Sequence, residues 1–157
     1  MSIRYGNMWM ATSTDSSIST TNAGEMVFDN ANSLFISTYG GNDQIYLGGG
    51  WDNVWAGAGH DTIVFNARNQ HGQVSGQGDA DTFIIKDSFS GHMTISDFSS
   101  AQGDHISFEK GVVNWHQESL SGGRFGMVHE FADGSSVTVV GQSYWSLYQD
   151  MAHGFIA

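Results

Sequence analysis

Apolar residues recur every nine positions through the first half of the chain. Residues 22–30 (NAGEMVFDN), 31–39 (ANSLFISTY), 40–48 (GGNDQIYLG), 49–57 (GGWDNVWAG) and 58–66 (AGHDTIVFN) carry Val27, Ile36, Ile45, Val54 and Ile63 at one phase. Residues 67–75 (ARNQHGQVS) and 76–84 (GQGDADTFI) slip by two, then keep the spacing with Val74 and Phe83. In the clearest rows a glycine-rich turn ends in Asp43, Asp52 or Asp61, and a branched apolar residue follows two positions later. A helix does not fit: period nine matches no helical face, and each repeating glycine would cost close to 1 kcal/mol in a helix interior. Stacked parallel β coils do fit. If two nonapeptides make one coil, Val27, Ile45 and Ile63 line one inner wall and Ile36 and Val54 the other. Because side chains alternate along a strand, Phe28, Tyr46 and Val64 then stack on one outer face, with Ser37 beside Trp55 on the opposite face.

Beyond the repeats, Met93–Ile95 and His105–Phe108 alternate as strands do. Residues 127–131 and 137–140, joined by Ala132-Asp133-Gly134-Ser135-Ser136, predict a hairpin, because Asp-Gly takes the positive-φ turn that suits strand twist. The Ser/Thr-rich residues 11–22 are expected to be irregular or to form the first outer strands, and residues 144–152 (YWSLYQDMA) to form a short terminal helix with Gly154 as its stop. Residues 1–157 are expected to form one domain: an N-terminal segment at 1–21, β-roll repeats at 22–84, and capping strands with a tail at 85–157.

Composition sharpens this picture. Twenty-one glycines without a proline suit closely repeated tight turns, and the absence of cysteine excludes disulfides, thiolate chemistry and Cys-rich zinc sites. A net charge of -11 opposes nucleic acid and anionic membrane surfaces, and no apolar run is long enough for membrane insertion. The same acidity attracts divalent cations, and 12 of the 16 acids are Asp.

A hard cation wants six to eight oxygens, and a Gly-rich turn ending in Asp supplies carbonyls and one carboxylate. Same-edge turns lie eighteen residues apart, so Asp43 and Asp61 are expected to share a Ca2+ ion with carbonyls near Gly40, Asn42, Ala58 and His60. Asp52 falls on the opposite edge, where the position eighteen residues on is Gln70. A second site there would need Asp79 or Asp81 brought in by the two-residue slip. Seven histidines, at 60, 71, 92, 105, 116, 129 and 153, include no i, i+4 pair and no companion nucleophile at a recognisable spacing. No G-x-S-x-G elbow or phosphate loop occurs, so no residue is assigned as catalytic and the chain is read as a non-enzyme. Exposed aromatics, Tyr46 or Trp55, are the alternative reading: a polysaccharide-binding module. A second alternative is a small secreted enzyme whose histidines beyond residue 90 converge on a pocket.

The rows GGND-Q-I, GGGWD-N-V and GAGHD-T-I resemble the G-G-x-G-x-D-x-U-x nonapeptides of the RTX calcium-binding family, and GQGDADTFII, TISDFSSAQGDHISF and FADGSSVTVVG resemble that family's last repeat, cap and terminal hairpin. The chain departs from the pattern where Thr38, Leu47 and Ala56 replace first glycines, where Glu25 and Leu34 stand in the Asp position, and at residues 67–75, which carry no acid. The N-terminal coils are therefore expected to be metal-free. The resemblance implies an all-β, right-handed parallel β-roll with an antiparallel C-terminal cap, and a secreted, extracellular Ca2+-binding protein. It also implies export through a type I secretion apparatus, led by a C-terminal signal, with folding on meeting extracellular calcium and an extracellular polysaccharide or cell surface as a further partner.

Overall fold

A computed structural model of the chain describes residues 2–30 and 33–141. Fifteen strands follow one another: β1 (Ile3–Tyr5), β2 (Met8–Met10), β3 (Ser17–Ser19), β4 (Met26–Phe28), β5 (Phe35–Ser37), β6 (Gln44–Leu47), β7 (Gly50–Ala58), β8 (Thr62–Phe65), β9 (Gln70–Gly78), β10 (Thr82–Ile85), β11 (Gly91–Ile95), β12 (His105–Phe108), β13 (Val112–Ser119), β14 (Phe125–Phe131) and β15 (Ser136–Gly141). They form two sheets. One runs β1-β2-β4-β6-β8-β10-β12 and the other β13-β14-β15-β11-β9-β7-β5-β3. The chain passes from one sheet to the other at each turn, so β2 to β12 and β3 to β11 coil into a parallel β-solenoid.

The coil is two nonapeptides long. Val27 pairs with Ile45 and Ile45 with Ile63 in one sheet, while Ile18, Ile36 and Val54 align in the other. All six are buried. Each such aliphatic contributes about 1.5–3 kcal/mol by leaving water. Downstream, the coil lengthens to 20 residues, with Phe83 beneath Ile63 and Val74 beneath Val54. The two extra residues lie between Phe65 and Gln70, since Leu47 pairs with Phe65 but Gly50 with Gln70.

The repeat begins earlier than its sequence signal. Met8 pairs with Met26 and Ser17 with Phe35, so β2 and β3 already form the first coil within the Ser/Thr-rich beginning. At the other end β11 pairs in parallel with β15, and β14 and β13 add antiparallel strands. The hairpin at 127–140 is present, with Met127 opposite Val139 and Gly134 at φ 83° in its turn. Phe89, Phe108 and Phe131 close the core at this end, with Phe131 lying 6.0 Å from Phe89 and 5.9 Å from Phe108. The expected terminal helix at 144–152 lies outside the described residues.

Candidate metal-binding edge

Crossing from one sheet to the other makes two edges, and the acids concentrate on one. The turns before β4, β6, β8, β10 and β12 end in Glu25, Asp43, Asp61, Asp81 and Asp104, and all five are buried. The side chain of each carboxylate from Asp43 onward accepts the backbone N–H of the acid one coil earlier. Glu25 N–H meets Asp43 Oδ1 at 2.7 Å, Asp43 N–H meets Asp61 Oδ1 at 2.8 Å, Asp61 N–H meets Asp81 Oδ1 at 3.0 Å, and Asp81 N–H meets Asp104 Oδ1 at 3.0 Å.

The ends of this ladder are satisfied and its middle is not. Glu25 accepts from the hydroxyls of Thr20 and Thr21, and Asp104 Oδ2 accepts the Ser99 N–H at 2.8 Å. By contrast, the buried Oδ2 atoms of Asp43 and Asp61 meet no donor. The Thr38 hydroxyl beside Asp43 gives its proton to the Ala56 carbonyl at 2.6 Å. Burial pushes the Asp43 carboxyl up to about 6 and Asp81 up to about 8, and raises Asp61 and Asp104. A buried carboxylate oxygen with no donor costs about 1–3 kcal/mol or more, which a bound cation would offset.

At their glycines the turns stack backbone on backbone. Gly59 sits at φ 121°, and a Cβ there would lie 2.1 Å from the Gly41 carbonyl oxygen. Asn42 Oδ1 accepts the His60 N–H at 2.9 Å, and the Ala58 carbonyl accepts the Gly41 N–H at 2.9 Å while keeping a second lone pair. Among the described residues no three His, Cys, Asp or Glu side chains converge as a metal cage. A cation on this edge therefore depends on backbone carbonyls together with carboxylates, the donor set that hard Ca2+ prefers.

The second edge differs. Asp52 Oδ1 accepts the Leu34 N–H at 3.0 Å, its Oδ2 meets no donor, and burial together with the Asp29 charge pushes its carboxyl up to about 8. Asp79 and Asp81 do not join it. The inserted pair of residues precedes β9, so every downstream position moves together and Asp81 lands one coil below Asp61; Asp79 Oδ2 likewise accepts the Gly59 N–H on that edge, at 3.1 Å. The position beneath Asp52 is Gly72 and not Gln70. Gln70 is fully buried with both amide atoms unpaired. Sequence reasoning missed Asp29 beside Asp52, and it missed Asp104 as the last rung. Asp104-His105-Ile106 repeats the acid, one residue, then branched apolar signature of Asp43-Gln44-Ile45, which would have identified it.

The family model for the RTX calcium-binding nonapeptide repeat (4 copies) matches residues 35–63. Those residues contain Asp43, Asp52 and Asp61 and the turns just described. Residues 35–63 carry RTX-type repeats, within a roll that runs from β2 to β12. No curated protein and no solved structure matches it. The RTX nonapeptide is a calcium-binding motif, and the unpaired Asp43 and Asp61 oxygens on the roll fit that metal.

The other singled-out residues scatter over the roll. Tyr46 stacks on Phe28 at 4.9 Å with an interplanar angle of 8°, on the outer face of the seven-stranded sheet. Trp55 lies on the outer face of the other sheet, so the two aromatics do not share a surface. The histidines beyond residue 90 do not converge either. His92 is on the outer face of the eight-stranded sheet and His105 is on the other sheet. His116, on the exposed strand β13, lies 3.7 Å from Glu130 of β14. His129 is buried against Phe108, its ring nitrogens unpaired and its pKa pushed down to about 4 by burial. His153 lies outside the described residues.

Proposed function

We propose that this chain is a secreted calcium-binding protein whose roll folds when it meets extracellular calcium. The observation that carries the reading is the pair of buried, donorless oxygens on Asp43 and Asp61 in adjacent same-edge turns. In this reading Asp43 and Asp61 hold one Ca2+ with carbonyls from Gly40, Asn42, Ala58 and His60. Asp81 and Asp79 extend the same edge, while Asp52, with Leu34 and Gly72 in its column, has no second carboxylate one coil away and stays outside the site. The ion neutralises carboxylates that the metal-free coils would have to bury charged or protonated. Glu25, already satisfied by two threonine hydroxyls, needs no ion.

The charge of -11 and the lack of cysteine cross-links favour an expanded metal-free chain, which suits passage through a type I secretion apparatus and folding outside. The role is binding and structural, not catalytic. A calcium titration followed by circular dichroism tests the reading. The chelated chain should lack most of its β signal and regain it cooperatively with Ca2+ but not with Mg2+, whose small octahedral shell suits a carbonyl-rich site poorly. Full β signal and an unchanged melting temperature in chelator would overturn it.

A further inference from the structure

In the eight-stranded sheet, the outer face of strands β5, β7, β9, β11 and β15 is uncharged; the nearest acid in the sheet, Glu130 of β14, stands beyond β15 opposite Ser136. No Asp, Glu, Lys or Arg occupies an outward position of β5, β7, β9, β11 or β15, in a chain with 21 such residues, 5 basic and 16 acidic. The acids of β7 and its flanking turns point into the edges instead, as Asp52 does. On this uncharged face stand two tryptophans of one strand, Trp51 and Trp55, which are 66% and 48% exposed. Four residues apart on β7, they are separated by about 13 Å at ~3.3 Å per residue.

Their neighbours leave ring surface open. Trp51 stacks one face on His71, at 5.2 Å and 20°, and its backbone N–H meets Ser33 Oγ on the coil before. Trp55 lies in register between Ser37 and Ser75, with the Phe35 ring edge-on at 4.9 Å. Between the tryptophans are the amides of Asn53 and Gln73, paired across β7 and β9. Exposed indoles with amides between them match a ligand that presents C–H faces and hydroxyls in alternation.

We propose that this face binds a neutral polysaccharide, with sugar rings against Trp51 and Trp55 and hydroxyls on Asn53 and Gln73. The chemistry decides between polymers. A polyanion is repelled by the net charge of -11 and finds no cation on the face, and a polycation finds no carboxylate there. The proposal goes beyond the calcium reading and does not rest on it. Tyr46 is excluded from the site by its position on the other sheet, where its ring is stacked on Phe28.

The test is native affinity electrophoresis of the full chain in calcium, in gels containing hydroxyethylcellulose, galactomannan or dextran, with polygalacturonate as the anionic comparison. At least one neutral polymer should retard the protein. Trp51→Ala and Trp55→Ala should each weaken that retardation about tenfold with the circular dichroism spectrum unchanged. Trp51→Phe, which keeps a ring, should restore part of it, and Tyr46→Ala should bind like the parent. The proposal is overturned if no neutral polymer retards the chain, if polygalacturonate alone does, or if Tyr46→Ala matters as much as Trp55→Ala.

Discussion

The two edges of the roll come from the same repeat and have different chemistry. One carries five consecutive buried acids, Glu25, Asp43, Asp61, Asp81 and Asp104, each from Asp43 onward tied to the coil before. The other carries Asp52 alone in the corresponding position, with Leu34 before it and Gly72 after it in the same column. The first edge can share charge along a row of turns. On the second, an isolated carboxylate faces Asp29, and that charge adds to burial in raising its pKa. An alternating repeat thus gathers most of its buried carboxylates on one side without being uniform, because a two-nonapeptide coil places odd and even repeats on opposite edges.

The largest effect should come from Asp61→Ala. It removes a carboxylate that holds Asp43 through its backbone and that supplies one of the two donorless oxygens. At calcium 100- to 1,000-fold above Kd, losing that ion costs about 3–4 kcal/mol. Calorimetry should show one ion fewer, and adding Asp43→Ala should remove no further ion, since ligands of one ion act as a unit, although the Glu25 N–H then also loses its acceptor. Unchanged stoichiometry would show that the acid row is only a backbone cap.

Acid sensitivity needs its cap contribution removed before it reports on either edge. His129 has its pKa pushed from 6.5 to about 4 by burial, so the unfolded chain binds a proton that the folded one refuses between those values. This contribution leaves stability intact above pH 6.5 and reduces it as pH falls toward 4, by about 3 kcal/mol in all. His129→Phe should therefore raise the melting temperature at pH 5 more than at pH 7.5. Equal shifts at the two pH values would mean that the imidazole is not the cause.

The smallest effect should be Asp52→Asn. The amide oxygen can still accept the Leu34 N–H, while the charge facing Asp29 disappears, so stability should change by less than about 1 kcal/mol or rise. A loss equal to that of Asp61→Ala, measured by thermal melting in calcium, would erase the distinction between the edges.

The sequence made the inner ladder and the length of the coil legible, because Val27, Ile45 and Ile63 are buried on one face and exposure imprints period nine on their neighbours. The spacing of eleven from Ile63 to Val74, then nine to Phe83, already puts the two-residue insertion before Val74 and gives Asp81 the phase of Asp61; only its exact place, between Phe65 and Gln70, needed the strand pairing. Strand β13 was unreadable for a different reason. Val112–Ser119 is exposed on both faces, so no alternation of apolar and polar residues marks it. Asp104 escaped because its coil is 23 residues long, although its local signature is intact.

The direction of the aspartate hydrogen bonds gives the stack a polarity. Each coil lends an acceptor to the one before it and borrows its own from the one after. Removing the first coil would leave Asp43 Oδ1 without the Glu25 N–H, a vacancy that solvent can fill at the newly opened end. Removing the last would take the acceptor from the Asp81 N–H, a donor that the newly opened end likewise leaves to solvent. The carboxylate-to-amide bonds therefore all point one way along the stack, and the segment around Asp104 and Ser99 supplies the last acceptor from which the preceding turns are held in order.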